Sequence, residues 1–318
     1  MNAKNQSVIV LMFIFASPFA SATPVFAATT CIGTLGAIVI PEDVVVPSGQ
    51  TCRLNGTQVD ANVIVETGAQ LFTSNNAIID GNLLVGTNAS ANVSQTNVDG
   101  DLIIDTRGQL STSNNAFIDG TLKVGTNASA NVRQTEVDGA IELQDSSQLI
   151  AVNSSLNGGV KSTNTQTISL SGTSIDGAVE ISERTNLSVR EVNSTSGFKT
   201  TNIRSFQLFN STLASDVFAE GTVNHIEFCG NSLSGNAQFS KNAGVLQIGG
   251  AAVSQPCTNN PTSSGNIING NINVIDNTAN GVVVNNQIVG NLSCFGNTTL
   301  IGGNNTVTGN KEGQCAAF

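Results

Sequence analysis

The sequence predicts an all-β, single-domain parallel β-helix on three observations. A segment recurs every 19 or 20 residues, apolar residues sit two apart at a fixed place in each copy, and two further apolar clusters follow at fixed places behind them. The segment is plainest as Val98-Asp99-Gly100-Asp101-Leu102-Ile103-Ile104, with Ile118-Asp119-Gly120, Val137-Asp138-Gly139 and Ile175-Asp176-Gly177 after it. A period this short cannot hold a helical hairpin. It suits one turn of a solenoid, whose inward residues are buried only by stacking on the turns above and below.

With the Gly of each Asp-Gly as position zero, equivalent points fall at Glu42, Ala61, Gly81, Gly100, Gly120, Gly139, Gly158, Gly177, Ser196, Ser215, Gly235, Gly270, Gly290 and Gly309, which makes about 13 turns. Positions +2 and +4 are apolar in most of them, as in Val44/Val46, Leu83/Val85, Leu102/Ile104 and Ile272/Val274, so a strand with one buried face is expected there. A second strand is expected at +10 and +12, from Leu149/Ala151, Ile168/Leu170, Leu187/Val189 and Phe206/Leu208. A short third is marked by Val59, Ile79, Val98, Ile118, Val137, Leu156, Ile175 and Leu213. Three strands per turn give a triangular cross-section and a rod of roughly 60 Å at about 4.8 Å per turn.

Composition excludes several classes. The chain has 318 residues, of which 11% are charged, and its net charge is -10, so the basic footprint of a nucleic-acid or anionic-membrane binder is missing. Residues 1–27 read as a secretory signal peptide. Lys4 precedes the apolar run Val8 to Phe15, and small residues suit cleavage after Ala22 or Ala27. The run is too short to span a bilayer, so no membrane span is expected once the leader is removed, and the destination is secreted, periplasmic or cell-surface. Residues 28–41 are expected as an N-terminal cap and 42–318 as the β-helix, with an irregular insertion near 250–265 around Gln255-Pro256-Cys257.

Export makes disulfides of the six cysteines. Cys31 and Cys52, and Cys294 and Cys315, are each 21 residues apart, about one turn, which places each pair on adjacent rungs within disulfide reach. Cys229 and Cys257 flank irregular sequence and are left for a third bridge. No C-x-x-C occurs that would favour a metal site.

Three polar columns follow from the register. Position +14 reads Asn75, Gln95, Asn114, Gln134, Asn153, Gly172, Glu191, Asn210, expected as a ladder of side-chain amides. Position +3 reads Lys123, Glu142, Lys161, Glu180, Lys199, with opposite charges expected to face each other on neighbouring rungs. Position -1 stacks Asp60, Asp80, Asp99, Asp119, Asp138, Asn157 and Asp176. Aspartate before glycine suits turn chemistry, but successive carboxylates are also hard oxygen ligands, and Asp80, Asp99, Asp119 and Asp138 are the candidate ligands for weak Ca²⁺ binding.

The C-terminal run Gly290-Asn291-Leu292-Ser293-Cys294, closing in Gly309-Asn310-Lys311-Glu312-Gly313-Gln314-Cys315, resembles a family of uncharacterised secreted bacterial proteins with G-N-V-type repeats. The resemblance is sharp from Gly265 to Cys315 and generic before it. It implies a right-handed β-helix of the pectin-lyase-like kind, and it brings no activity or site residues with it.

Catalytic chemistry is hard to assemble. His225 is the single histidine, in Val223-Asn224-His225-Ile226-Glu227-Phe228, where a place in a strand accounts for it. No phosphate loop or zinc-protease motif occurs. The expected function is an exported, non-enzymatic structural or adhesion module whose partner is a polysaccharide or another cell-surface component. The alternative is a carbohydrate-active enzyme of the lyase or epimerase type, with Lys161, Arg184, Arg190, Lys199 and Arg204 beside Glu180, Glu183 and Glu191 in one cleft. Trp and Tyr, the usual sugar platforms, are absent.

Overall fold

The computed structural model describes residues 28–250, 257 and 265–318. These form a parallel β-solenoid of three sheets with 15, 14 and 14 strands. Every chain segment visits sheet A, then B, then C, and each strand pairs in parallel with its equivalent one turn away. There are 14 complete turns rather than about 13, because residues 28–41 are not a separate cap. Thr29–Thr30, Gly33–Leu35 and Val39–Ile40 are the first strands of the three sheets. The leader 1–27 lies outside the described residues, as does most of the insertion near 250–265.

The period translates directly into register. Leu102 faces Leu83 and Leu122 in sheet A, Leu149 faces Ala130 and Ile168 in sheet B, and Val98 faces Ile79 and Ile118 in sheet C. All are buried in one continuous core that runs the length of the rod. Between Phe198 and Phe239 the aliphatic filling gives way to phenylalanines, and Phe228 meets Phe239 edge-on with ring centroids 5.4 Å apart.

The three corners differ in how they turn. Between sheets B and C one residue takes a left-handed conformation on most turns, with φ of 56° at Asn75, 48° at Gln95 and 55° at Asn114. The +14 column is therefore a column of bends, in which asparagine and glycine are favoured for conformational reasons. Its side chains are exposed and do not form the expected continuous amide ladder. Asn114 Nδ2, for example, donates to Ser94 Oγ at 2.9 Å instead of to Gln95.

Between sheets C and A, Asp-Gly is required by close approach. Gly120 and Gly139 lie outside the left-handed region, but a Cβ on Gly139 would sit 2.4 Å from the carbonyl carbon of Gly120, so the glycines stack where no side chain fits. The residue after each glycine completes this corner. Asn62 Oδ1 accepts the backbone N–H of Asn82 at 2.9 Å, Asn82 Oδ1 that of Asp101 at 2.7 Å, and Asp101 Oδ1 that of Thr121 at 2.9 Å. The same chain reappears near the C-terminus through Asp216, Asn236, Asn271, Asn291 and Asn310. The Gly-Asn repeat thus has a physical reading: the glycine permits contact between rungs and the amide bonds the next rung's backbone.

Disulfides close the structure as expected. Cys31–Cys52 and Cys294–Cys315 join neighbouring rungs at the two ends, with Cα separations of 5.5 and 5.3 Å. Cys315 belongs to a short 3-10 helix, Gln314–Ala317, that packs over the last rung. The third bridge, Cys229–Cys257, lies outside the main core, where it forms a small buried cluster with Phe209 on the outward side of sheet B.

Candidate binding face

Outward residues of sheet B form three columns. The first reads Gln70, Ser90, Gln109, Ser129, Gln148 and Thr167, and the second reads Phe72, Asn92, Ser111, Asn131, Ile150 and Ser169. The third runs through Ser74, Ser94, Ser113, Arg133, Val152 and Ser171. Strand alternation aims them to one side because their neighbours, such as Ala91, Leu110 and Ala130, fill the core. The result is a lattice mostly of amides and hydroxyls at rung spacing, interrupted by Ile150 and Val152, with Arg133 its one charged member over these turns.

Within it lies a shallow groove of about 450 Å³, lined by Phe72, Asn92, Gln109, Ser111, Ser129 and Asn131 among others. One end is marked by Phe72, whose ring carries the Arg53 guanidinium at 4.4 Å from its centroid. Arg133 Nε donates to Asn131 Oδ1 at 3.0 Å at the other end. An aromatic ring beside amides that both donate and accept can recognise a polyhydroxylated, uncharged ligand. The sequence alone left Phe72 among scattered phenylalanines. Its signal was the +11 column, in which phenylalanine precedes a run of small polar residues.

The +3 column is in register on sheet A, where Lys123 faces Glu142, Glu142 faces Lys161, Lys161 faces Glu180 and Glu180 faces Lys199. Opposite charges face each other as expected, but no salt bridge joins successive members among the described residues. Lys123 Nζ instead donates to Asp101 Oδ2 at 2.7 Å, which holds the Asp101 carboxyl below the usual carboxylate range, and the Thr121 backbone N–H adds to the shift. Lys161, Glu180 and Lys199 stay exposed and share a groove of about 340 Å³.

The residues of the expected catalytic cleft are divided among different sides of the rod. Lys161, Glu180 and Lys199 lie on sheet A, and Arg184 and Arg204 line a hollow at the A–B corner. Arg190 lies at the end of sheet B, 5.2 Å over the Phe209 ring. Glu183 accepts from Asn202 Nδ2 at 3.3 Å, and Glu191 is at the B–C bend. His225 sits on sheet B opposite Ser205 and Val245, two residues from the buried Glu227, which accepts from Gln207 Nε2 at 2.7 Å.

The aspartate column runs along the C–A corner with Asp80, Asp99 and Asp119 exposed and Asp138 partly so. Partial burial raises the Asp99 carboxyl, and the charges of Asp80 and Asp119 add to the effect. Relief comes from neutral partners, since Asn157 Nδ2 donates to Asp138 Oδ1 at 2.6 Å and Gln58 Nε2 to Asp60 Oδ1 at 2.9 Å. Among the described residues no three acidic, histidine or cysteine side chains are grouped closely enough to hold a metal ion.

Two buried ladders went unread in the sequence. Inside the B–C bend, Asn231, Asn266, Asn286 and Asn305 stack, and inside the A–B corner Asn242, Asn277 and Asn297 do the same. Each Oδ1 accepts both the backbone N–H and the Nδ2 of the asparagine before it. Asn277 Oδ1, for example, lies 3.0 Å from Asn242 N and 2.8 Å from Asn242 Nδ2. No helix among the described residues is long and apolar enough to cross a membrane. Compared with protein-family models, curated proteins and solved structures, the chain matches none of them.

Proposed function

We propose that the chain is an exported, non-enzymatic adhesion-type module of the bacterial envelope or surface, a rigid solenoid that lays sheet B against a neutral, polyhydroxylated polymer. The carrying observation is the lattice from Gln70 to Ser171, in which hydrogen-bonding side chains recur at the spacing of the rungs beside the Phe72 ring. A repeated ligand meets the same groups on each turn, so weak contacts add along the rod. Disulfides at both ends suit an oxidising compartment, which supports export.

Co-sedimentation of residues 28–318 with insoluble cellulose and chitin, and affinity electrophoresis in soluble β-glucan, test the proposal. Retention on at least one neutral glycan is expected, falling several-fold in Phe72→Ala and again in Asn92→Ala combined with Gln109→Ala. Retention that ignores these changes, or none on any neutral glycan, sinks the idea.

A second reading is favoured by the groove holding Lys161, Glu180 and Lys199, since an amine beside a carboxylate suits general acid–base work on a sugar acid. Incubation with acidic polysaccharides, followed by absorbance of unsaturated products, decides it. Activity lost in Lys199→Ala replaces the adhesion reading. Calcium between the aspartates is a subsidiary proposal that rests on the stacking of Asp80, Asp99 and Asp119 on successive rungs, and a titration with calcium chloride giving neither heat nor a higher melting temperature removes it.

A further inference from the structure

On sheet A acidic and basic residues alternate along the +3 column, but at the A–B corner two arginines, Arg184 and Arg204, come from successive turns. Their backbones interleave, with Arg184 N–H donating to the Asn202 carbonyl at 3.1 Å and Arg204 N–H to the Thr185 carbonyl at 2.9 Å. Like charges on neighbouring rungs repel unless something neutralises them. Both side chains are exposed, and neither guanidinium has an ion pair, hydrogen bond or ring partner among the described residues. Arg53, Arg133 and Arg190, in contrast, are each engaged by a ring or an amide.

The two arginines line one hollow of about 310 Å³ together with Asn127, Ser146, Asn164 and Gln166, and no carboxylate lines it. Gln166 is oriented to contribute. Its Oε1 accepts from Gln148 Nε2, which turns its own amide hydrogens toward other acceptors. Asn127 and Asn164 both take the left-handed bend of this corner, with φ of 56° and 57°. Glu183, the nearest acid in sequence, is held by Asn202.

We propose that this hollow is an oxyanion site, in which the two guanidinium forks and the Gln166 amide bind a phosphate, sulfate or carboxylate group. Planar guanidinium matches such groups with paired hydrogen bonds, and the surrounding amides and hydroxyls supply donors without competing charge. The site lies at the corner beside the neutral lattice on sheet B and is linked to it through Gln148, but anion binding by the two arginines does not require that lattice to hold a glycan. Its anion arrives either free in solution or carried on an acidic glycan.

Isothermal titration of the disulfide-bonded chain at low ionic strength, with sodium phosphate, sodium sulfate, an oligogalacturonate and a sulfated oligosaccharide, tests it. Binding of at least one probe is expected, weakening about threefold in Arg184→Gln or Arg204→Gln and at least tenfold in the double variant. Arg204→Lys should lose part of the affinity, because charge remains while the fork is lost. Arg107→Gln removes the same charge from the same corner four turns from Arg184 and should bind as the parent does. Inorganic phosphate or sulfate binding as tightly as the oligomers identifies a free-anion site, and binding of oligomers alone identifies a glycan site. If no probe binds, or if Arg107→Gln weakens binding as much as Arg184→Gln, the proposal fails.

Discussion

The solenoid solves the same corner twice, with different chemistry in its two halves. Inside the B–C bend the first turns carry Thr57, Ala77, Thr96, Ala116, Thr135, Ser154 and Thr173, while the last carry Asn231, Asn266, Asn286 and Asn305. The hydroxyls bond within their own turn and to an immediate neighbour, without a continuous chain. Thr112 and Thr135 share a bond of 2.7 Å, and Thr135 Oγ1 also reaches the Arg133 carbonyl at 2.8 Å. Intervening alanines interrupt the series. The asparagines instead bond from rung to rung without a break, and each Nδ2 donates to a backbone carbonyl as well, as Asn266 does to Phe228 at 2.7 Å. The lesson is that a buried turn needs its backbone groups paired, and either self-contained hydroxyls or a continuous amide ladder will do it, at different costs on failure.

The largest test of that contrast is Asn277→Ala. It orphans the Asn242 N–H and the Phe239 carbonyl and takes one donor from Asn297 Oδ1, which keeps the backbone N–H of residue 277, and should cost about 4 kcal/mol from about 1–3 kcal/mol per abandoned group. Thr135→Ala should cost about 1 kcal/mol, leaving Thr112 alone. Hydrogen exchange by mass spectrometry is the right measurement, because repeat arrays need not unfold in one step. Protection lost over several turns around Asn277, but only locally around Thr135, is the expected outcome. Equal and local losses would erase the distinction.

Next in size is the C-terminal closure. Replacing Cys294 and Cys315 together with serine should cost about 3 kcal/mol from the loop-closure relation for this 21-residue separation. Exchange should rise first in Lys311–Gly313 and Leu292–Phe295, and the N-terminal turns should be unaffected. Gly120→Ala follows at about 2 kcal/mol, the usual range for forcing extra atoms into a packed site, since the new Cβ would sit 2.5 Å from the Gly100 carbonyl. Denaturant midpoints would show it.

Acid sharpens the comparison further. The N-terminal C–A ladder includes the Asp101 carboxylate, whereas Asn236, Asn271 and Asn291 in the C-terminal ladder do not titrate. Because Asp101 is lowered in the folded state, its contribution is present above the unfolded aspartate value of about 3.9 and is lost as pH falls through the lower folded one. Asp99 has the opposite sign. Raised by burial and by its neighbours, it favours the folded state below the unfolded value and loses that contribution as pH rises through the folded one. Asp101→Asn should therefore lower the melting temperature at pH 7 and have little effect near pH 2, whereas Asp99→Asn should raise it at pH 7.

The smallest effect is expected at Thr222, on the turn that receives the start of the A–B asparagine ladder. Its backbone N–H bonds Asn242 Oδ1 at 2.7 Å, but its buried hydroxyl has no partner. Thr222→Val keeps the shape and removes an unsatisfied group, so stability should be unchanged or rise by up to about 1 kcal/mol. A fall in the melting temperature would show that the hydroxyl is in use.

Much of this architecture was legible in the period. Residues 19 or 20 apart stack, so the sheet A, B and C core positions, the pairing of Cys31 with Cys52 and that of Cys294 with Cys315 all follow from counting. What counting cannot supply is direction at the corners. Asn75 and Asn231 are both polar residues near the same bend, yet the first is exposed at φ 56° and the second is buried in a ladder. Lys123 faces Glu142 in register but bonds Asp101 on the preceding turn, because a long flexible side chain reaches past its in-register neighbour. Arg184 and Arg204 could be assigned to neighbouring turns from sequence, but not to the same hollow around a corner from Lys161. The sequence by itself determined which residues are neighbours along the rod, since stacking repeats the period. Only the tertiary structure decided which corner residues are buried, which side chains share a hollow and which are left without a partner, since those depend on backbone dihedrals at three bends that the period does not specify.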